Sequence, residues 1–112
     1  MDTIALYTRL HPGQEEAYEE FHRLVPDAIV EDLCARGVHE WRIWRRGLDL
    51  FHLVIAEDYE LFVNTPVTNE VAAGWGALMS EFLALNNDFG ASNRMTQVWA
   101  LKDQLVRPLE RE

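Results

Sequence analysis

Basic side chains are scarce in this sequence: ten lysines and arginines stand against nineteen acidic residues, a formal charge of −9 over 112 residues. Nucleic acids and anionic membranes are polyanions that need a basic face, so neither is expected as a partner. Cys34 is the only cysteine, which excludes an internal disulfide and any CxxC metal or redox motif. Among helical apolar neighbours it reads as a packing residue. Lys102 is the only lysine and lies near the C-terminal end, a poor basis for Schiff-base chemistry. The two serines, Ser80 and Ser92, sit in no GxSxG. Six glycines form neither a P-loop nor a GxGxxG, since Gly74-Trp75-Gly76 lacks the third glycine and a strand before it. No run approaches the roughly 20 apolar residues of a membrane span. Met1 to Arg9 also lacks the basic-then-apolar pattern of a secretory signal. The expectation is a cytoplasmic protein working without cofactor or metal.

What is present suits one globular domain: 48% apolar and 26% charged residues. Thr3–Leu10 alternates and reads as a half-buried strand, closed by His11-Pro12-Gly13. From Gln14 to Arg36, Tyr18, His22, Val25, Ile29 and Leu33 recur at helical spacing, with Ala17, Phe21, Leu24 and Ala28 beside them. Pro26 cannot donate to the carbonyl of His22, so this helix is expected to kink or break there, and Gly37 to end it. Val38–Arg46 reads as a second strand, with His39, Trp41 and Ile43 on one face and Val38, Glu40, Arg42 and Trp44 on the other. A turn at Gly47-Leu48-Asp49 leads to a third strand, Leu50–Ala56, apolar on both faces. Tyr59–Val63 reads as a short helix, and Thr68 as the cap of a longer one reaching about Leu85. Asn86–Gly90 is a loop and Arg94–Leu101 the last strand.

The order βαββαβ is that of an α+β, ferredoxin-like fold, one antiparallel sheet with helices on one face. The domain is expected over residues 1–103, with a polar C-terminal tail over 104–112. The second apolar face of the sheet needs a cover. A homodimer packing sheet on sheet, a dimeric α+β barrel, is the economical answer.

Four histidines are the first candidates for chemistry: His11, His22, His39 and His52. Glu19-x-x-His22 has the spacing of a di-iron helix, but occurs once where such sites need two, so no metal site is expected. His22 stands out because Tyr18 precedes it by one helical turn on the same face. Histidine moves protons near neutral pH, and a tyrosine hydroxyl can orient it or a substrate. The plainer alternative is a histidine hydrogen-bonded between helix and sheet. His52, on the third strand, is a further polar candidate. Four tryptophans are many for so small a domain, and flat rings bind the C–H faces of sugars. Trp44 and Trp99 read as core, which leaves Trp41 and Trp75 for a ligand. Glu15, Glu16, Glu19 and Glu20 read as a solvated face at a helix N-terminus.

These residues fall into a recognisable order: Glu16-x-Tyr18-x3-His22, then Leu33-x3-Gly37-x-His39-x-Trp41-x-Ile43, Leu50-Phe51, Trp75-x3-Met79, and an Asn-Asp loop before Gln97-Val98-Trp99. In that order and spacing the chain resembles the L-rhamnose mutarotase family from strand one to about Leu101. The resemblance implies a small dimeric protein that interconverts the α and β anomers of L-rhamnose or a related monosaccharide without a cofactor. It places His22 at the family's proton donor and Tyr18 at a substrate-contacting tyrosine. Trp41 stands where the family usually has a sugar-binding tyrosine. Trp75 stands at the first position of a Trp-Trp pair, with Gly76 at the second. Loss of the tyrosine hydroxyl leaves Trp41 an indole N–H that can donate, whereas Gly76 removes an aromatic wall. Two other readings share the topology: an α+β-barrel monooxygenase, and a non-catalytic relative that binds a small ligand.

Overall fold

The computed structural model describes residues 1–84 and 93–106. Its elements run β1 (Asp2–Arg9), α1 (Glu15–Arg23), α2 (Asp27–Ala35), β2 (Val38–Arg46), β3 (Asp49–Ala56), α3 (Tyr59–Asn64), α4 (Glu70–Phe82), β4 (Arg94–Met95) and α5 (Leu101–Leu105). The strands pair antiparallel in the order β2-β3-β1-β4, the ferredoxin-like arrangement that the order of elements predicts. No helix among the described residues is long and apolar enough to cross a membrane.

The helix expected over Gln14–Arg36 breaks in two at Pro26, as the missing N–H requires. Leu24 and Pro26 are both extended, and the turn between them sets α2 at a new direction. Gly37 ends α2 with a φ of 91°, a conformation that glycine adopts without a steric penalty. α4 is capped by Asn69, whose side chain accepts from the Ala72 amide at 2.8 Å; the cap expected at Thr68 is one residue early. Thr68 is engaged elsewhere, donating its amide (2.6 Å) and its hydroxyl (3.0 Å) to Asp32 Oδ1. Asn69 Nδ2 also donates to the Ala28 carbonyl, so two neighbouring side-chain contacts fasten the start of α4 to α2.

Strict alternation misplaces one residue of β2. A β-bulge lies between Val38, opposite Ala56, and Glu40, opposite Ile55. The extra residue, His39, shifts the pleat, so Val38 shares a face with Trp41 and Ile43 and lies opposite neither. That face of the sheet also carries Leu6, Thr8, Leu50, His52 and Val54, all buried under the helices. Two clusters make the core. Leu6, Val38, Val54 and Ala56 pack with Tyr59 and Phe62 of α3. Leu10, Tyr18 and Leu50 pack with Met79, Phe82 and Leu83. The chain leaving α4 is tied back to the end of β1, with Ala84 donating to the Arg9 carbonyl and His11 to that of Phe82.

Three expectations are corrected. The last strand is two residues long and not eight, because only Met95 and Arg94 find partners, at Ala5 and Leu6. Val98 and Trp99 have no sheet or helix over them, and the chain turns helical from Leu101. Trp44 and Trp99 are surface residues in the single chain, 52% and 63% exposed. Trp44 lies opposite Phe51 on the face without helices, and Trp99 donates its indole N–H to Gln104. Cys34, expected in the packing, is exposed. The loop expected at 86–90 lies outside the described residues, as does the part of the tail beyond 106.

Candidate active site

Tyr18, His22, Trp41, Trp75 and Gly76 come from three elements and line one cavity of about 500 Å³ between the helices and the sheet. All five site residues of the sequence reading are therefore in one place. The cavity lies within the size range of small-molecule sites, about 300–1,000 Å³. Its remaining lining is mostly apolar, with Val25, Ile29, Leu33, Ile43 and Met79 among it.

The helical wall is built around His22. One turn along α1, its Nδ1 lies 2.9 Å from the carbonyl oxygen of Tyr18. A carbonyl only accepts, so Nδ1 carries the proton and the neutral ring keeps its lone pair on Nε2. Nε2 makes no hydrogen bond among the described residues. The ring is held by Tyr18, with centroids 4.3 Å apart, and edge-on by Trp75 at 5.4 Å. Trp75 is itself braced by Phe21. Burial pushes the Tyr18 phenol up to about 12, so it stays a neutral donor and acceptor throughout the physiological range. Gly76 follows Trp75 in the wall, and a β-carbon added there would meet nothing within 4 Å. That is open room where the family resemblance implied a second ring.

The sheet wall is built differently. Trp41 Nε1 lies 3.1 Å from His52 Nδ1, and His52 Nε2 lies 2.9 Å from Thr8 Oγ1. Both histidine nitrogens are occupied. The sequence reading left the indole N–H of Trp41 for a substrate; the structure gives it to His52. Trp41 also meets Phe62 edge-on, at 6.1 Å and 72°. Burial, with a smaller effect from the facing His22, lowers the His52 pKa from 6.5 to about 4.

A charged pair, Asp32 and Arg36, is also among the lining residues. Asp32 is 2% exposed, and its carboxylate accepts from Arg36 (2.9 Å) and from Thr68. Burial alone would raise its pKa, but the Thr68 amide, the Arg36 guanidinium and the Thr68 hydroxyl together hold it below the usual carboxylate value. Arg36 also donates to the carbonyls of Phe62 and Thr65 and lies over the Phe62 ring. The guanidinium that lines the cavity is thus committed to protein groups. This clamp was not read from the sequence, where Asp32 looks like one more acidic residue on a helix. Glu19, considered with His22 as a metal pair, instead bonds Arg45 at 2.6 Å. Among the described residues no group of three or more His, Cys, Asp or Glu side chains is placed to hold a metal ion.

A family profile for L-rhamnose mutarotase matches residues 3–101. The chain belongs to the L-rhamnose mutarotase family. Among curated relatives, an L-rhamnose mutarotase of Burkholderia ambifaria strain MC40-6 is 29% identical over 89 residues, covering 79% of this chain and 86% of the relative. A second, from Burkholderia orbicola strain MC0-3, is 28% identical over 90 residues, with the same coverage. The crystal structure of an L-rhamnose mutarotase from Formosa agariphila superposes with a TM-score of 0.67 at 24% identity, covering 90% of this chain and 99% of that one. That likeness shows the shared fold. Membership in the mutarotase family decides against the oxygenase reading of the same topology.

Proposed function

We propose that this protein is a sugar mutarotase acting on L-rhamnose or a closely related monosaccharide, with His22 as the acid–base residue. One observation carries the reading: the Tyr18 carbonyl fixes the proton of His22 on Nδ1 and leaves Nε2 as an available base in the cavity wall. Mutarotation needs little else. Nε2 takes the proton of the anomeric hydroxyl, the bond from C1 to the ring oxygen breaks, and the imidazolium returns a proton to that oxygen. The open-chain aldehyde turns about the bond between C1 and C2 and recloses by the reverse steps on its other face. No electron leaves the sugar and no group is transferred. Tyr18, kept neutral by burial, holds a substrate hydroxyl, and the rings of Trp41 and Trp75 meet its C–H surfaces. An uncharged substrate fits a cavity whose one arginine among the described residues, Arg36, is neutralised by Asp32.

The family's dimeric barrel is part of the same proposal. On the face without helices, Trp44, Phe51 and Met95 remain 52%, 37% and 38% exposed, with Leu53 between them. We assign that face to a second copy of the chain. A cytoplasmic setting accords with a single, free cysteine.

The test is one-dimensional NMR saturation transfer between the anomers of L-rhamnose. Exchange above the buffer rate in the wild type, lost in His22→Ala, is the expected result. Equal rates for the two proteins on a panel of deoxy- and six-carbon sugars would remove His22 from its role. Binding without exchange would make the chain a non-catalytic relative. Light scattering at micromolar concentration tests the dimer, and a monomer mass would overturn it.

A further inference from the structure

We propose that His52 positions Trp41 and thereby sets which face of a sugar the cavity accepts: bridged between Thr8 and the indole, it holds Trp41 as a flat apolar wall with its N–H turned to protein. This rests on the mutarotase reading. The direction of each hydrogen bond follows from the partners. An indole nitrogen only donates, so His52 Nδ1 accepts the Trp41 proton at 3.1 Å. The histidine proton must then sit on Nε2, from which it is donated to Thr8 Oγ1 at 2.9 Å. Thr8 and His52 are 0% and 6% exposed, so no water competes for the chain of contacts. His52 therefore offers a substrate neither a lone pair nor a proton, although it lines the cavity. Its effect on a ligand is exerted through the indole. The ring stands edge-on to His52 and to Phe62, which leaves its orientation little freedom.

A wall of this kind suits a C–H or methyl surface and gives a hydroxyl no partner. The substrate class it favours is a deoxy sugar whose methyl or C–H face lies against Trp41. Its discrimination is bounded, since an apolar pocket rejects an added hydroxyl by about 10²-fold at most. Without the acceptor on His52, the indole N–H would seek a new one, and a sugar hydroxyl is the nearest candidate.

Two substitutions separate the halves of the bridge. His52→Gln places an amide near the Nε2 position, able to reach Thr8 but not the indole. His52→Asn places an oxygen near the Nδ1 position, able to accept from the indole but not to reach Thr8. The full chain, ¹⁵N-labelled, is examined by the Trp41 indole resonance, identified by its loss in Trp41→Phe, and by saturation transfer on L-rhamnose and its 6-hydroxylated counterpart, L-mannose. His52→Gln is expected to move the indole resonance, to raise KM for L-rhamnose about tenfold with kcat within about threefold, and to narrow the preference for the deoxy sugar. His52→Asn restores the resonance and the KM. An unmoved resonance and unchanged KM in His52→Gln overturn the proposal, as does an equal fall of kcat in both variants, which would put His52 in the proton transfer. If the wild type exchanges neither sugar, the mutarotase reading fails, while the resonances still decide the bridge: moved in Gln and restored in Asn they uphold it, identical they overturn it. If His52→Gln does not fold, wild-type solvent exchange decides, and a Trp41 indole proton exchanging as fast as that of an unstructured tryptophan overturns the bridge.

Discussion

The two walls of the cavity each carry a histidine, and they use it in opposite ways. On α1, His22 has one nitrogen tied to a backbone carbonyl and the other available. On β3, His52 has both nitrogens tied to side chains and a pKa lowered to about 4. The residue type is the same, and what differs is how many of its two nitrogens the fold consumes. A histidine with one free nitrogen can exchange a proton with a ligand. A histidine with none can only hold its neighbours in place. The helical wall is therefore where rate is expected to reside, and the sheet wall where shape and stability reside.

The largest test of that contrast is on the helical wall. His22→Ala is expected to lower the exchange rate by about 10²–10⁴-fold, with thermal unfolding little changed because the ring is only half buried. A variant that instead lost its melting transition would assign His22 to the fold. Acid should reveal the sheet wall next. His52 takes up a proton near 6.5 when unfolded and only near 4 when folded, so between those values the unfolded chain binds more protons. Stability must then fall as pH drops from 6.5 to 4, by about 3 kcal/mol in all. Urea titrations across that range measure it, and a flat profile in His52→Asn would attribute the loss to this ring.

Thr8→Val removes the acceptor beneath His52 while keeping the side chain's shape. Leaving the Nε2 proton unpaired in the core is expected to cost about 1–3 kcal/mol of stability, read from denaturant midpoints. The smallest effect is at Tyr18→Phe. Deleting one neutral hydrogen bond to a substrate hydroxyl should lower kcat/KM by up to about tenfold, with no change in stability. Loss of folding there would return Tyr18 to the core cluster it shares with Phe82.

The helical wall was legible in the sequence because helical spacing alone puts Tyr18 and His22 on one face, and Pro26 marks where their helix must stop. The sheet wall was legible only in part. Leu50, His52 and Val54 are alternate residues of one strand, so a histidine on the buried face could be read. That its partners are Trp41 and Thr8 could not, because both lie on other strands and the pairing depends on register. Asp32 was missed for a similar reason. Arg36 is one turn along the same helix and reads as an ordinary i, i+4 pair; what sets Asp32 apart is Thr68, which arrives from 36 residues away. The last strand was overextended because alternation in Met95–Leu101 measures what a segment could pair with, whereas β1 offers partners for two residues.

The bulge at His39 has a consequence for which length changes this strand can bear. Val38 and Trp41 are an odd number of positions apart, yet both face inward, because one surplus residue changes the parity of the strand between them. The site thus depends on counting as well as on chemistry. Deleting the surplus residue, His39, would leave Val38 and Trp41 two positions apart in ordinary alternation, with the indole still facing inward toward His52. The strand can therefore lose one residue at the bulge, whereas a deletion or an insertion between Trp41 and Ile43 would set those two side chains on opposite faces of the sheet.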